Sequence, residues 1–238
     1  MNKFSIFFLS LISMSLFSSC EKVSNTPEDI TDEEVIDILS GALTSDTEGI
    51  TAEAVEVAAV AESYESGNPN EPICGTLFDS TLTYNINTAQ ITANYTSSFG
   101  WTLECNNFGI PITLIWSSST EGNYELNRLR SEDSGISNLT VNDLITGSNF
   151  VISGSYTREG TQESKIASMR SFASLTQLTL DELSISKMTQ KVVSGSGTFL
   201  MTGTGSESGT FSVEGSIVFN GDGTATITVN GNTYTITL

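Results

Sequence analysis

The chain has no histidine, only 3 cysteines and 4 prolines, and 9 basic residues against 28 acidic ones in 238. Each shortage removes a class of function. Without His there is no Ser-His-Asp or Cys-His relay and no imidazole zinc ligand, and three thiols cannot complete a four-thiolate zinc or iron-sulfur site. A formal charge of -19 argues against nucleic acid or anionic headgroups as partners. No GxSxG elbow or P-loop is present, and Gly221-Asp222-Gly223 is accounted for by a turn. What remains is an acidic chain, 38% hydrophobic and carrying 20 Gly, long enough for one or two domains with a sizeable core.

Its longest apolar stretch is at the start. Residues 1–20 read MNKFSIFFLSLISMSLFSSC: Lys3, then an apolar run from Phe4 to Phe17, then Ser18, Ser19 and Cys20. This is export-signal organisation, too short to span a bilayer. Leu16-Phe17-Ser18-Ser19-Cys20 resembles the lipobox of bacterial lipoproteins, with Phe17 where that family more often has a smaller aliphatic residue. The resemblance implies removal of residues 1–19, acylation of Cys20 and a membrane anchor made of lipid. The acidic stretch that follows, interrupted by Lys22, resembles signals that send some Bacteroidota lipoproteins to the outer surface of the outer membrane. An outer-membrane lipoprotein, facing periplasm or surface, is the expected placement. Residues 20–30 supply a polar tether. Lipidation of Cys20 leaves Cys74 and Cys105 as an even pair in an oxidising compartment, where a disulfide is expected.

Residues 31–71 form an acidic helical segment, and residues 21–71 hold 14 of the 28 acids. Thr31 as N-cap and Glu34 at N3 spell a capping box, with Ile30 able to staple on Val35. Val35, Ile38, Leu39, Ala42 and Leu43 make one apolar stripe. A second helix is predicted over 51–65, its stripe being Ala54, Val57, Ala58, Ala61 and Tyr64, with Glu53, Glu56 and Glu62 opposite. Two readings follow: helices covering one face of a sheet with acids outward, or a mobile acidic arm. The first is favoured.

Residues 72–238 read as an antiparallel β domain packed with those helices. Period-two alternation predicts short strands at 82–86, 91–96, 101–105, 110–116 and 124–129, then from 138 to the C-terminus, as a β-meander, sandwich or curved half-barrel. Asn230-Gly231 is the favoured type I′ pair, setting Ile227 opposite Tyr234 and Ala225 opposite Ile236. A turn at 221–223 sets Ile217 opposite Ile227 and Phe219 opposite Ala225. Arg158 to Arg170 reads as a charge-balanced loop.

For chemistry, Asp79 with Glu104 and Asp181 with Glu182 are the acids nearest apolar strands, each better explained by turns or solvent. Asn220 with Asp222, or Asp46 with Glu48, falls short of the EF-hand pattern, so no metal site is assigned. No cofactor is implied. Trp101, Trp116, Tyr84, Tyr95 and Tyr124 are candidates for a glycan platform or the wall of an apolar cavity, with core packing the stronger reading. The leading function is a nonenzymatic, lipid-anchored envelope protein whose β-rich domain binds an envelope protein, glycan or lipid. Alternatives are an apolar-ligand or lipid carrier, a carboxylate-based glycan hydrolase, and a surface-assembly subunit.

Overall fold

A computed structural model describes residues 29–65, 74–166, 169–207 and 209–238. The expected signal, Cys20 and nearly all of the tether lie outside the described residues. Helix α1 (Asp32–Leu43) begins as its sequence requires: Glu34 N–H donates to Thr31 Oγ1 at 3.3 Å, and Thr31 N–H donates to Glu34 Oε2 at 2.9 Å. Its predicted stripe, Val35 to Leu43, is buried throughout. A 3-10 turn (Ser45–Thr47) leads into helix α2 (Ile50–Glu65), which buries Ala54, Val57, Ala58 and Ala61. Each buried Val, Leu or Ile contributes about 1.5 to 3 kcal/mol, which an isolated helix in water would not gain.

The rest is one ten-stranded antiparallel sheet in sequence order: β1 (Leu77–Asn87), β2 (Ile91–Cys105), β3 (Pro111–Leu126), β4 (Leu129–Asn142), β5 (Asn149–Ser164), β6 (Ser171–Ser186), β7 (Val192–Gly205), β8 (Gly209–Phe219), β9 (Thr224–Val229) and β10 (Asn232–Thr237). It is a meander, with β1 and β10 as unpaired edges, so it is neither a sandwich nor a closed barrel. One face is covered by the helices. Thus Ile91, Ala93, Tyr95, Ser97 and Phe99 are buried while Thr92, Asn94, Thr96 and Ser98 are exposed. Helix α2 lies across β3 to β6, α1 against β5, and the 3-10 turn against β2.

Both C-terminal registers hold: Ile227 faces Tyr234, Ala225 faces Ile236, Ile217 faces Ile227 and Phe219 faces Ala225. Other strands are longer than expected. The predicted 91–96 and 101–105 are one strand, because Ser97 to Gly100 continue the alternation instead of turning. The predicted 124–129 contains a turn, with β3 ending at Leu126 and β4 starting at Leu129. The expected loop at 158–170 is corrected too: its first half is β5, with Arg158 pointing inward and 6% exposed.

Glycine permits the bending of such long strands. One cross-strand row runs Tyr95, Gly122, Asp133, Gly160, Ser174, Gly203, Phe211. A Cβ on Gly122 would meet the Tyr95 ring at 2.4 Å, and one on Gly203 the Phe211 ring at 2.6 Å. Side chains from neighbouring strands lie over these positions, which only glycine leaves free. Cys74 and Cys105 stand at disulfide distance, Cα to Cα 5.8 Å, tying the residues before β1 to the end of β2.

Candidate functional site: the cleft between helix α2 and edge strand β1

The polar residues of the helix–sheet interface fall into two sets, one closed and one open. In the closed set, Arg158 bonds Asp133 through Nε at 3.0 Å and Nη2 at 2.7 Å. Its Nη1 donates to the carbonyl of Gly41 in the last turn of α1, and its Nη2 to the carbonyl of Thr47 at 2.9 Å. Tyr95 Oη donates to Asp133 Oδ1 at 3.0 Å, and the guanidinium stacks near the rings of Tyr95 and Tyr124, at 5.3 and 5.6 Å. The cation therefore replaces water for helix carbonyls that a buried helix end leaves unsatisfied. Burial keeps the surrounding phenols protonated: Tyr156 is pushed up to about 12, Tyr95 and Tyr124 further, even though Arg158 pulls each down. The guanidinium stays charged, held by these oxygens against its own desolvation. This is a structural clamp.

Glu53 is a second tie. Predicted to face solvent, it is 7% exposed, and its Oε1 accepts from Trp116 Nε1 at 2.8 Å and from Ser118 and Ser137 Oγ. Its Oε2 is buried with no partner. At the N-terminus of α1, Asp32 accepts from Asn230 at 2.8 Å, Asn232 at 2.9 Å and Tyr234 at 3.0 Å, holding the first helix to the last hairpin.

The open set is a cleft of about 400 Å³ between α2 and the edge strand β1. Ala52, Val55 and Ala59 line one wall at helical spacing; Leu82, Tyr84 and Ser97 line the other. Glu48, which adopts the left-handed conformation between the 3-10 turn and α2 (φ 51°), and Glu56 both reach it. Burial, and after it Glu48 and Glu53, raise the Glu56 carboxyl to about 7; Glu48 is raised by burial and then by Glu53. Tyr84 is raised by burial, then by Glu48 and Asp46. A carboxyl near 7 can hold or release a proton at neutral pH, and can receive a cation.

The sequence-predicted residues separate accordingly. Trp116, Tyr95 and Tyr124 are core, at 1, 3 and 3% exposure. Trp101 is half-buried, stacks on Phe78 and Trp116 at 5.5 and 6.2 Å, and donates from Nε1 to Tyr64 Oη at 3.0 Å. Tyr84 alone of the five lines the cleft, so the rings do not share one exposed platform. Asp79 lies opposite Gly100 and Glu104 opposite Thr113, so those acids are not brought together. Asp222 caps its own turn, accepting from Thr224 N–H at 3.0 Å. Sequence reasoning missed Glu48 and Glu56 as a pair; their only early signal was the density of acid around α2. Among the described residues no three acids or thiols are grouped to hold a metal ion, and no helix is long and apolar enough to cross a membrane. Compared with known proteins, the chain matches no family model, no curated protein and no solved structure.

Proposed function

We propose that the protein is a lipid-anchored envelope protein, held by Cys20, whose β-rich domain is a nonenzymatic binding module, and that its binding site is the cleft between α2 and β1. One observation carries the site. Here Ala52, Val55, Ala59, Leu82 and Tyr84 leave about 400 Å³ open with mostly apolar walls, whereas the other opening beside α2, about 490 Å³, is bordered by turn residues including Gln190, Lys191, Gly221 and Asp222. Apolar walls with a few polar groups at the rim are what a small-ligand site requires. The chemistry fits an apolar group entering from solvent with a polar end at Glu48 and Glu56.

The test is titration of the full chain with an aliphatic probe such as 1-hexanol, followed by NMR shifts of Val55, Leu82 and Tyr84. Saturable shifts confined to these residues, abolished by Val55→Trp, support the site; no shifts overturn it. Mass spectrometry of envelope-purified protein checks the anchor separately, expecting an acylated Cys20 at the mature N-terminus. A chain beginning at Met1 with a free thiol would overturn it.

A glycan hydrolase is the second reading, because Glu48 and Glu56 share a cleft with an exposed ring. The mostly apolar lining tells against a sugar substrate. Release of reducing ends from glycans, lost in Glu56→Gln, would favour it over the binding module.

A further inference from the structure

The cleft contains an imbalance that its own residues do not resolve. Its lining carries Glu48 and Glu56 and no basic residue. Glu53 is one helical turn from Glu56, so the two side chains are neighbours on α2. Its buried Oε2 has no partner, and neither does the buried Oε1 of Glu56. The cation whose field reaches Glu48 is Arg158, which already serves Asp133, Gly41 and Thr47. An unpaired carboxylate half out of water is costly, and two side by side more so. Protonation relieves this at low pH; at neutral pH and above, an incoming cation does.

The kind of cation follows from the lining. No three carboxylates among the described residues are grouped closely enough for a metal ion. Beside the acids the lining offers Ala52, Val55, Ala59 and Leu82, which give nothing to a hydrated inorganic ion but suit a hydrocarbon stem. Tyr84 adds a ring face at which a positive charge is favoured. An ammonium group, with three donors and no acceptor, suits the two carboxylates, and the Ser45, Thr83, Ser97 and Tyr84 hydroxyls of the lining can accept from it as well as donate.

We propose that the α2–β1 cleft binds a primary ammonium group carried on an aliphatic stem, with Glu48 and Glu56 receiving the ammonium and Ala52, Val55, Ala59 and Leu82 the stem. This rests on the cleft being a binding site and names the class of ligand it takes. A free alkylamine and a lysine side chain share this chemistry.

Three probes of equal stem test it on the full chain at about pH 8, above the range to which the Glu56 carboxyl is raised: hexylammonium, 1-hexanol and hexanoate. Hexylammonium should bind at least about tenfold more tightly than hexanol, since a hydrogen bond to a charged group outweighs a neutral one, with hexanoate weakest. The double variant Glu48→Gln/Glu56→Gln should bring the amine down to the alcohol. Added salt should weaken the amine and leave hexanol nearly unchanged, a readout needing no variant. Equal binding of amine and alcohol would overturn the ammonium assignment and leave the cleft standing; binding of none would remove both. Displacement of the amine by millimolar calcium at the same residues would also overturn it, in favour of a bare cation. A lysine-bearing peptide competing where its norleucine counterpart does not would identify the protein-borne source; competition by neither would leave the free amine.

Discussion

Two charged regions lie a few residues apart on the same helix–sheet interface, and they are built on opposite principles. Around Arg158 every buried charge has its complement: carboxylate, carbonyls, phenols and rings surround one guanidinium. Around Glu56 the charges are of one sign, and buried oxygens lack partners. The first arrangement fixes helices to sheet; the second leaves an interaction to be completed from outside. Removing Arg158 should therefore do the most damage in the molecule. Arg158→Met leaves Asp133 buried without its cation and the Thr47 carbonyl without its donor, at a cost of roughly 3 to 5 kcal/mol, read as a lower urea midpoint at unchanged slope. An unfolding midpoint within error of wild type would mean that the clamp is not what joins the layers.

Next in size is the link between β2 and the residues preceding β1. Replacing Cys74 and Cys105 together with Ser should cost roughly 3 to 4 kcal/mol, the loop-entropy value for their separation of 31 residues. Because Cys105 ends the strand that pairs with β1, hydrogen exchange should rise first along β1, the wall of the cleft, and leave the Arg158 region protected. Uniform loss of protection would erase the distinction between the two regions. Glu53→Leu comes third, at about 2 kcal/mol, since it orphans the Trp116 indole N–H and leaves the Ser118 and Ser137 hydroxyls only each other. Glu53→Gln should cost less, because an amide oxygen keeps an acceptor in place.

These two regions also differ in how far they could be read from sequence. Features set by near neighbours were legible: the Thr31 and Glu34 box, the α1 stripe, and the hairpin registers fixed by Asn230-Gly231 and the turn at 221–223. Strand lengths were less so. Ser and Gly suggest turns, yet Ser97 to Gly100 remain in β2 because one face of the sheet is wet and the other bends over glycine. The partners of Arg158 come from Asp133, Gly41 and Thr47, segments that meet only once the sheet order is set. Nothing local to Arg158 announces them, so it reads as a surface charge. Glu53 misled for the same reason: helical periodicity put it outside the stripe, but the facing Trp116 and two serines gave a carboxylate a place indoors. For the cleft, Tyr84 was legible as an aromatic on the inward parity of β1. Its partners Glu48 and Glu56 were not, since only the packing of α2 beside an edge strand unites them.

The smallest effect is the one whose sign separates the regions most sharply. Burial, with Glu48 and Glu53 adding to it, raises the Glu56 carboxyl from 4.5 to about 7, so between those values the folded chain keeps a proton that the unfolded chain has released. Stability from this group is therefore lost as pH rises through that window. Glu56→Gln has no proton to lose. It should match wild type at about pH 4, gain on it as pH rises through that window and level off above about 7, by a small amount because water screens a half-buried side chain. Asp133→Asn should do the reverse, destabilising at neutral pH by stripping Arg158 of its counter-charge. Glu48 and Glu53 both act on Glu56 in the same direction as burial, and Arg158 is committed to Asp133, Gly41 and Thr47. Melting temperatures of the two variants against pH settle the matter. Should Glu56→Gln instead destabilise the unliganded protein above pH 7, Glu56 would already be paired within the fold, and the cleft would be a second clamp rather than an open site.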